Sequence, residues 1–304
     1  HHKAPHRPWI PDPKHAALYP VGSIPEPETL FDDYATRSRA AHEARMRVAD
    51  HLTSDDVKEE LPAELADEDH RVERTRWFYQ RYLRDYLQTI QSVDDNVGRV
   101  LDYLDDHGLR DDTIVVYTSD QGFFLGDHGW YDKRFIYDES LQMPFLIRWP
   151  GRIEAGVRID AIVTNVDFAA TFLDACGLDP AEVLPTSQGR SALPVLSGRT
   201  PADWPESLYY RYWEHDEQSH HAWAHYGVRT RTHKIIYFYN DGLGSTGSSD
   251  RVFPPEWELY DLVADPQELN NVAGDPAYAG VRAELEAELA RLQGHYQDQP
   301  YRPR

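Results

Sequence analysis

Residues 113–150 read Thr113-Ile-Val-Val-Tyr-Thr-Ser-Asp120-Gln-Gly-Phe-Phe-Leu-Gly126-Asp-His-Gly-Trp-Tyr-Asp-Lys133-Arg-Phe-Ile-Tyr-Asp-Glu-Ser140-Leu-Gln-Met-Pro-Phe-Leu-Ile-Arg-Trp-Pro150. The β-branched and aromatic run 114–117 predicts a buried strand. It stops at Ser119-Asp120-Gln121-Gly122. In open α/β sheets ligands gather at the carboxyl ends of strands, so the oxygen-bearing pair Asp120 and Gln121 stands where chemistry is expected. Gly122 lets the chain turn sharply away. Gly126, Asp127, His128 and Gly129 predict a second turn, Lys133 follows, and the apolar run 145–149 returns the chain to the sheet.

The chain has 304 residues, a net charge of −21, 40% hydrophobic residues and 12% aromatics. That length allows one large domain or two with a sizeable core. The acidic balance argues against nucleic acid or an anionic membrane as a general partner, and an anion site must be locally basic. No apolar run approaches the ~20 residues that span a bilayer. The single cysteine, Cys176, excludes an internal disulfide framework; it reads as a small buried hydrophobe in an apolar helix ending at Gly177.

Residues 10–33 are Pro-rich and irregular, 35–52 have helical composition, and the acidic run 54–69 reads as a solvated loop. Trp77, Phe78, Tyr82, Leu83, Tyr86, Leu87, Ile90, Val93, Val97, Val100, Leu101 and Leu104 recur at spacings of three and four. They predict a helix ended by Gly108 whose aromatic stripe is core rather than a cofactor box. Asn165-Val166-Asp167 opens a helix through Ala175. After a boundary near 201–205, strands are expected over 208–213, 224–230, 233–239 and 258–262, a flexible Gly- and Ser-rich loop over 240–249, and a helix over 277–292. His220 and His221 look like a metal pair, but adjacent residues of a strand point to opposite faces. His128, between two glycines, reads as loop structure.

Ser-Asp-Gln-Gly, Leu-Gly-Asp-His-Gly, Lys133, Tyr137-Asp138-Glu139-Ser140 and Met143-Pro144 occur in one order. Together they resemble the sulfatase family, the formylglycine-dependent members of the alkaline-phosphatase-like superfamily. The resemblance extends to Gly189–Gly198 and to the carboxy-terminal run Glu258-Leu-Tyr-Asp-Leu262 with Asp265-Pro-Gln-Glu-Leu-Asn-Asn271. It implies an α/β fold: part of an alkaline-phosphatase-like sheet with flanking helices over 1–203, and a small α+β domain with an antiparallel sheet over 204–304.

The resemblance also implies roles. Asp120 and Gln121 would hold one divalent ion, Ca2+, whose tolerance of neutral amide oxygen suits Gln121. Lys133 would bind sulfate. The opening His-Lys-x-Pro-His-x-Pro resembles an internal sulfatase segment and points to His6 as a second catalytic group, with Lys3 a weaker candidate. A tag reading of His1 and His2 is the alternative. Asp132 and Arg134 would meet sugar hydroxyls at the rim, a plain surface ion pair being the alternative, and His225 would lie on a strand beside the pocket mouth, a satisfied histidine of the sheet being the alternative. Tyr210-Arg-Tyr-Trp213 and His225-Tyr-Gly-Val-Arg-Thr230 resemble sulfatases acting on N-acetylglucosamine 6-sulfate and glycosaminoglycan units.

The expected function is hydrolysis of a sulfate ester on such a sugar, with a sulfated saccharide as partner and no membrane span. Family members often work outside the cytoplasm, so a periplasmic or secreted protein is favoured. The Cys-x-Pro-Ser-Arg context of the formylglycine nucleophile is absent. The expectation is therefore a carboxy-terminal part, inactive alone, with the nucleophile and remaining metal ligands in a missing amino-terminal half. Two alternatives stand: a phosphodiester or phosphonate hydrolase of the same superfamily, and a non-catalytic glycan-binding fragment.

Overall fold

A computed structural model describes residues 2–302; His1, part of the opening His-His-Lys stretch, lies outside them. The helices are α1 Arg39–Glu43, α2 Val48–His51, α3 Ser54–Val57, α4 Arg71–Asp106, α5 Asp138–Leu141, α6 Asp167–Ala175, α7 Pro180–Val183, α8 Leu193–Leu196 and α9 Ala279–His295. The strands are β1 Val115–Thr118, β2 Phe124–Leu125, β3 Tyr131–Asp132, β4 Phe145–Arg148, β5 Ser207–Tyr212, β6 His225–Thr230, β7 His233–Phe238 and β8 Glu256–Asp261. The fold is α/β, as expected.

The long helix α4 buries Phe78, Tyr79, Tyr82, Leu83 and Tyr86 against Trp9, Ile24, Leu30, Val48, Leu52, Val57 and Tyr131. Its distal half differs from the expected continuous core stripe: Val100 is 58% exposed, and Tyr103 on the next turn is exposed as well. The expected helix over 35–52 is broken at Ala44–Arg47. There Met46 O accepts from Tyr131 N at 2.8 Å and Arg47 bridges to Trp130, so tertiary pairing outcompetes helix propensity. The acidic run is not wholly loop. Thr53 and Asp56 form a capping box that starts α3, and Val57 is buried.

β1 and β4 pair antiparallel, from Val115↔Arg148 to Thr118↔Phe145. This ribbon is half-exposed rather than buried, with the cross-strand partners Tyr117 and Leu146 open to solvent. Cys176 also departs from expectation. It caps the carboxyl end of α6, whose buried face is Asp167, Ala170 and Thr171, and it is exposed. Asp167 accepts from Thr164 N at 2.8 Å and Arg190 N at 2.9 Å, fixing the start of α6 and the 189–198 segment together.

β5 to β8 form a four-stranded antiparallel sheet in sequence order. One face takes α9 through Leu285, Leu289 and Leu292. The other packs on Phe124, Trp130, Phe135, Ile136 and Tyr137. The approach is close at Gly227, where a Cβ would sit 3.1 Å from Ile136 Cδ1 and 2.4 Å from Ile235 O. A continuous core therefore joins residues on both sides of position 203. The 240–249 loop is anchored at its base: Asn240 is buried and donates to Pro254 O at 2.7 Å.

Candidate functional site

The site grows from two turns laid side by side. At the first, β1 delivers Asp120 to its carboxyl end, exposed, with one oxygen accepting from Ser119 Oγ at 3.2 Å. Gln121 is half-buried beside it. The chain then pins itself to α5: Gly122 N donates to Ser140 O at 2.9 Å and Phe123 N to Glu139 O at 2.7 Å. Only glycine fits, since a Cβ on residue 122 would lie 2.1 Å from Glu139 O.

The second turn is the β2–β3 hairpin, which projects Lys133 from its far end. Its tip is structural. His128 is fully buried with φ +56°, its Nδ1 is 3.0 Å from Asp32 Oδ2, and its Nε2 is 3.6 Å from Glu139 Oε2. This agrees with the loop-structure reading. Lys133 is half-buried, with Nζ 5.8 Å from the Phe123 ring centre. Burial pulls its pKa down, opposed by Asp132 and Asp120 and reinforced by Arg134 and Arg7. Lys133 thus feels the charge of both Asp120 from the first turn and Arg7 from the amino-terminal segment.

That segment is held by Trp9, which is fully buried, packs tilted against Tyr82 with ring centres 4.5 Å apart and donates to Pro5 O at 2.8 Å. Arg7 lies 3.6 Å from Asp56 and over the Tyr131 ring at 5.7 Å. Its neighbour His6 is exposed and spends Nδ1 on Arg7 O at 2.7 Å, which leaves Nε2 as its outward nitrogen. No hydrogen bond or ion pair joins His6 to Lys133 or Asp120 among the described residues.

Asp132 and Arg134 flank Lys133 in backbone conformations unusual for side-chain-bearing residues, with φ +73° and +121°. Asp132 is 6% exposed. It accepts from Lys133 N at 2.8 Å and lies 3.6 Å from Arg134 Nε and 3.3 Å from His220 Nε2. Burial would raise its carboxyl, but these cations outweigh it and hold the pKa at about 2. Arg134 reaches Glu214 at 3.9 Å, and its carbonyl accepts from Tyr210 OH at 3.4 Å.

His225 is placed behind this hairpin, wholly buried among Phe135, Tyr210, Tyr212 and Phe238. Its Nδ1 donates to Trp223 O at 2.8 Å while Nε2 has no partner. Burial lowers its pKa to about 4, so the ring is neutral at pH 7. His220 and His221 lie in and just after a turn, not on a strand, and serve separate carboxylates: Glu217 and Asp132 for the first, Asp216 for the second. Sequence reading missed Arg7 and His220, since no local pattern ties either to the Lys133 hairpin.

Asp120 and Gln121 form a hard oxygen pair with a solvent-facing carboxylate, which fits part of a divalent-ion shell. Among the described residues no group of three or more His, Cys, Asp or Glu is arranged to complete one. No described helix is long and apolar enough to cross a membrane.

Comparison with known proteins bears on this geometry. An N-acetylglucosamine-6-O-sulfatase from Bacteroides thetaiotaomicron is 42% identical over 98% of this chain, and the chain spans 57% of that relative's length. A solved structure of a protein in complex with its substrate D-glucosamine-2-N,6-O-disulfate is 41% identical, with TM-score 0.81 over 97% of this chain and 64% of the other. A phosphonate monoester hydrolase from Agrobacterium radiobacter superposes with TM-score 0.61 at 27% identity, over 73% of this chain and 43% of its own. Residues 126–295 match the family described as N-sulphoglucosamine sulphohydrolase, C-terminal, and residues 3–178, more than half the chain, match Sulfatase. On that match, with Asp120 and Lys133 brought within electrostatic reach of each other, the chain belongs to the sulfatase family.

Proposed function

We propose that this chain supplies part of a sulfuric ester hydrolase that removes sulfate from an amino sugar, N-acetylglucosamine 6-sulfate or a related glycosaminoglycan unit. The observation that carries the reading is local. In a chain of net charge −21, Lys133 lies within electrostatic reach of the exposed Asp120, with Arg134 and Arg7 also acting on it. A cation beside a carboxylate able to hold a divalent ion is the pairing a sulfate monoester needs. The resemblance to an N-acetylglucosamine-6-O-sulfatase, and to a solved structure that holds a 6-O-sulfated glucosamine, supports the sugar.

In this reading the family's divalent ion is held partly by Asp120 and Gln121. Calcium suits an all-oxygen set that includes an amide. When bound, the ion polarises the sulfate oxygens. Lys133 neutralises a sulfate oxygen and strengthens its hold as charge shifts in the transition state. His6, through Nε2, donates a proton to the leaving alkoxide. Asp132 and Arg134 meet hydroxyls of the ring. His225, wholly buried behind the hairpin, backs Phe135 rather than touching the sugar. Residues 1–203 carry the sulfate chemistry and 204–304 form the small module behind it.

The test is sulfate release by the full-length protein from a panel of 6-, 2- and N-sulfated glucosamines. Release from 6-sulfated sugars first, loss on chelation, and a fall of at least ~10²-fold in Lys133→Ala with the fold intact are expected. Hydrolysis of a phosphonate monoester or phosphodiester with no sulfate released from any sugar would instead favour the alternative that the phosphonate hydrolase relative suggests.

A further inference from the structure

The hairpin that aims Lys133 needs an outside restraint, because Asp132 and Arg134 both sit at positive φ. Such backbone persists only where its surroundings over-determine it. His220 supplies the restraint. It is buried, and both ring nitrogens face carboxylates: Nδ1 is 2.6 Å from Glu217 Oε1 and Nε2 is 3.3 Å from Asp132 Oδ2. The second is an ionic contact rather than an aligned hydrogen bond. The backbone is fixed as well. His220 N donates to Glu217 Oε1 at 2.6 Å, Ser219 N donates to Glu217 Oε2 at 2.7 Å, and His220 O accepts from Arg45 N at 2.6 Å.

We propose that His220 is a positioning residue: its imidazolium, clamped between Glu217 and Asp132, holds the strained hairpin and so sets the aim of Lys133 and Arg134 at the sulfated sugar. This rests on the sulfatase reading. Histidine is suited to the place because a protonated ring donates in two opposed directions at once. A glutamine would turn an oxygen toward one of the two carboxylates. Burial opposes the charged ring and Arg134 repels it, but the two carboxylates outweigh both and raise its pKa. Asp216 beside it takes His221 at 2.7 Å on one oxygen and Arg251 at 3.0 Å on the other, with no link to the hairpin among these pairs.

The experiment uses the full-length protein. His220→Gln should lower kcat/KM for a 6-sulfated glucosamine about 10-fold to 100-fold, the scale of a misaimed catalytic group. In an Asp132→Asn background the same change should cost less than about 3-fold, because the clamp has already lost its far end. In a remote Tyr209→Phe background it should cost its full amount. Equal losses in all backgrounds would mark His220 as merely structural and overturn the proposal. A second readout stands apart from turnover: the NMR titration midpoint of the His220 ring should fall in Asp132→Asn and in Glu217→Gln. An unchanged midpoint also overturns it. If the unaltered protein releases no sulfate from any sugar, the activity reading fails alone and the midpoint still decides the clamp.

Discussion

Lys234 and Glu268 form an ion pair that solvent does not reach, with Nζ 2.7 Å from Oε1 and 2.8 Å from Oε2. The same ammonium lies 2.6 Å from Asp138 Oδ1, so one lysine of β7 ties α5, just past the Lys133 hairpin, to the carboxy-terminal 265–271 segment. Burial would raise the Asp138 carboxyl, but Lys234 and Arg229 outweigh it and hold its pKa at about 2. Lys234→Met would leave Glu268 buried without its cation, beside a half-buried Asp138 that keeps Arg229, and a loss of about 3–5 kcal/mol in urea unfolding is expected. A loss under ~1 kcal/mol would contradict this role. Since the Asp138 pKa is depressed, its share of stability is present above the unfolded value near 4 and is lost as pH falls toward 2.

Gly122→Ala should damage the site without touching a charged group. The new methyl would meet Glu139 O at 2.1 Å and Gln142 O at 2.3 Å, both backbone atoms of α5 and its end. The Asp120–Gln121 turn must shift to make room. Overpacking of this kind costs about 1–3 kcal/mol, and displacement of the turn should lower turnover by roughly 10²-fold. Thermal unfolding and sulfate release, measured side by side, check both. An alanine variant with unaltered activity would show that the turn does not position the proposed metal ligands.

His128 should make stability fall in alkali. Burial alone would push its imidazole down, but Asp32 and Glu139 outweigh burial and the repulsion of Arg37, so its pKa lies above the ordinary value. A raised folded-state pKa means the stabilisation is fully present below the unfolded value near 6.5 and fades as pH climbs through the folded value. Unfolding free energies between pH 5 and pH 9 should show that decline, and His128→Asn should flatten it. A variant with the same slope as the parent would assign the decline to other groups.

Elements with a strong local period were legible in the sequence. The strands of the four-stranded sheet and α9 fall within a few residues of expectation, because alternation and Ala/Glu/Leu composition are written locally. The first half of α4 was equally clear. What composition could not show was coverage: Val100 and Tyr103 continue the apolar pattern of α4 yet lie exposed, as do Tyr117, Leu146 and Cys176. The break at Ala44–Arg47 depends on Tyr131 and Trp130, far along the chain. In the site, Asp120 and Lys133 were visible as neighbours on one motif. Arg7 and His220 reach Lys133 and Asp132 only through folding, and His225 was placed at the mouth by resemblance although the sheet encloses it.

The core shared by the β2–β3 hairpin and the β5–β8 sheet has a consequence for engineering. Phe135 and Ile136 follow directly after Arg134, and the sheet carrying Gly227 and Phe238 is what they rest on. A chimera that replaced residues 204–304 with the matching part of a relative would therefore retune the aim of Lys133 along with any sugar preference. Swapping residues 204–304 in this scaffold would succeed only when the aromatic residues of 123–137 travel with the graft.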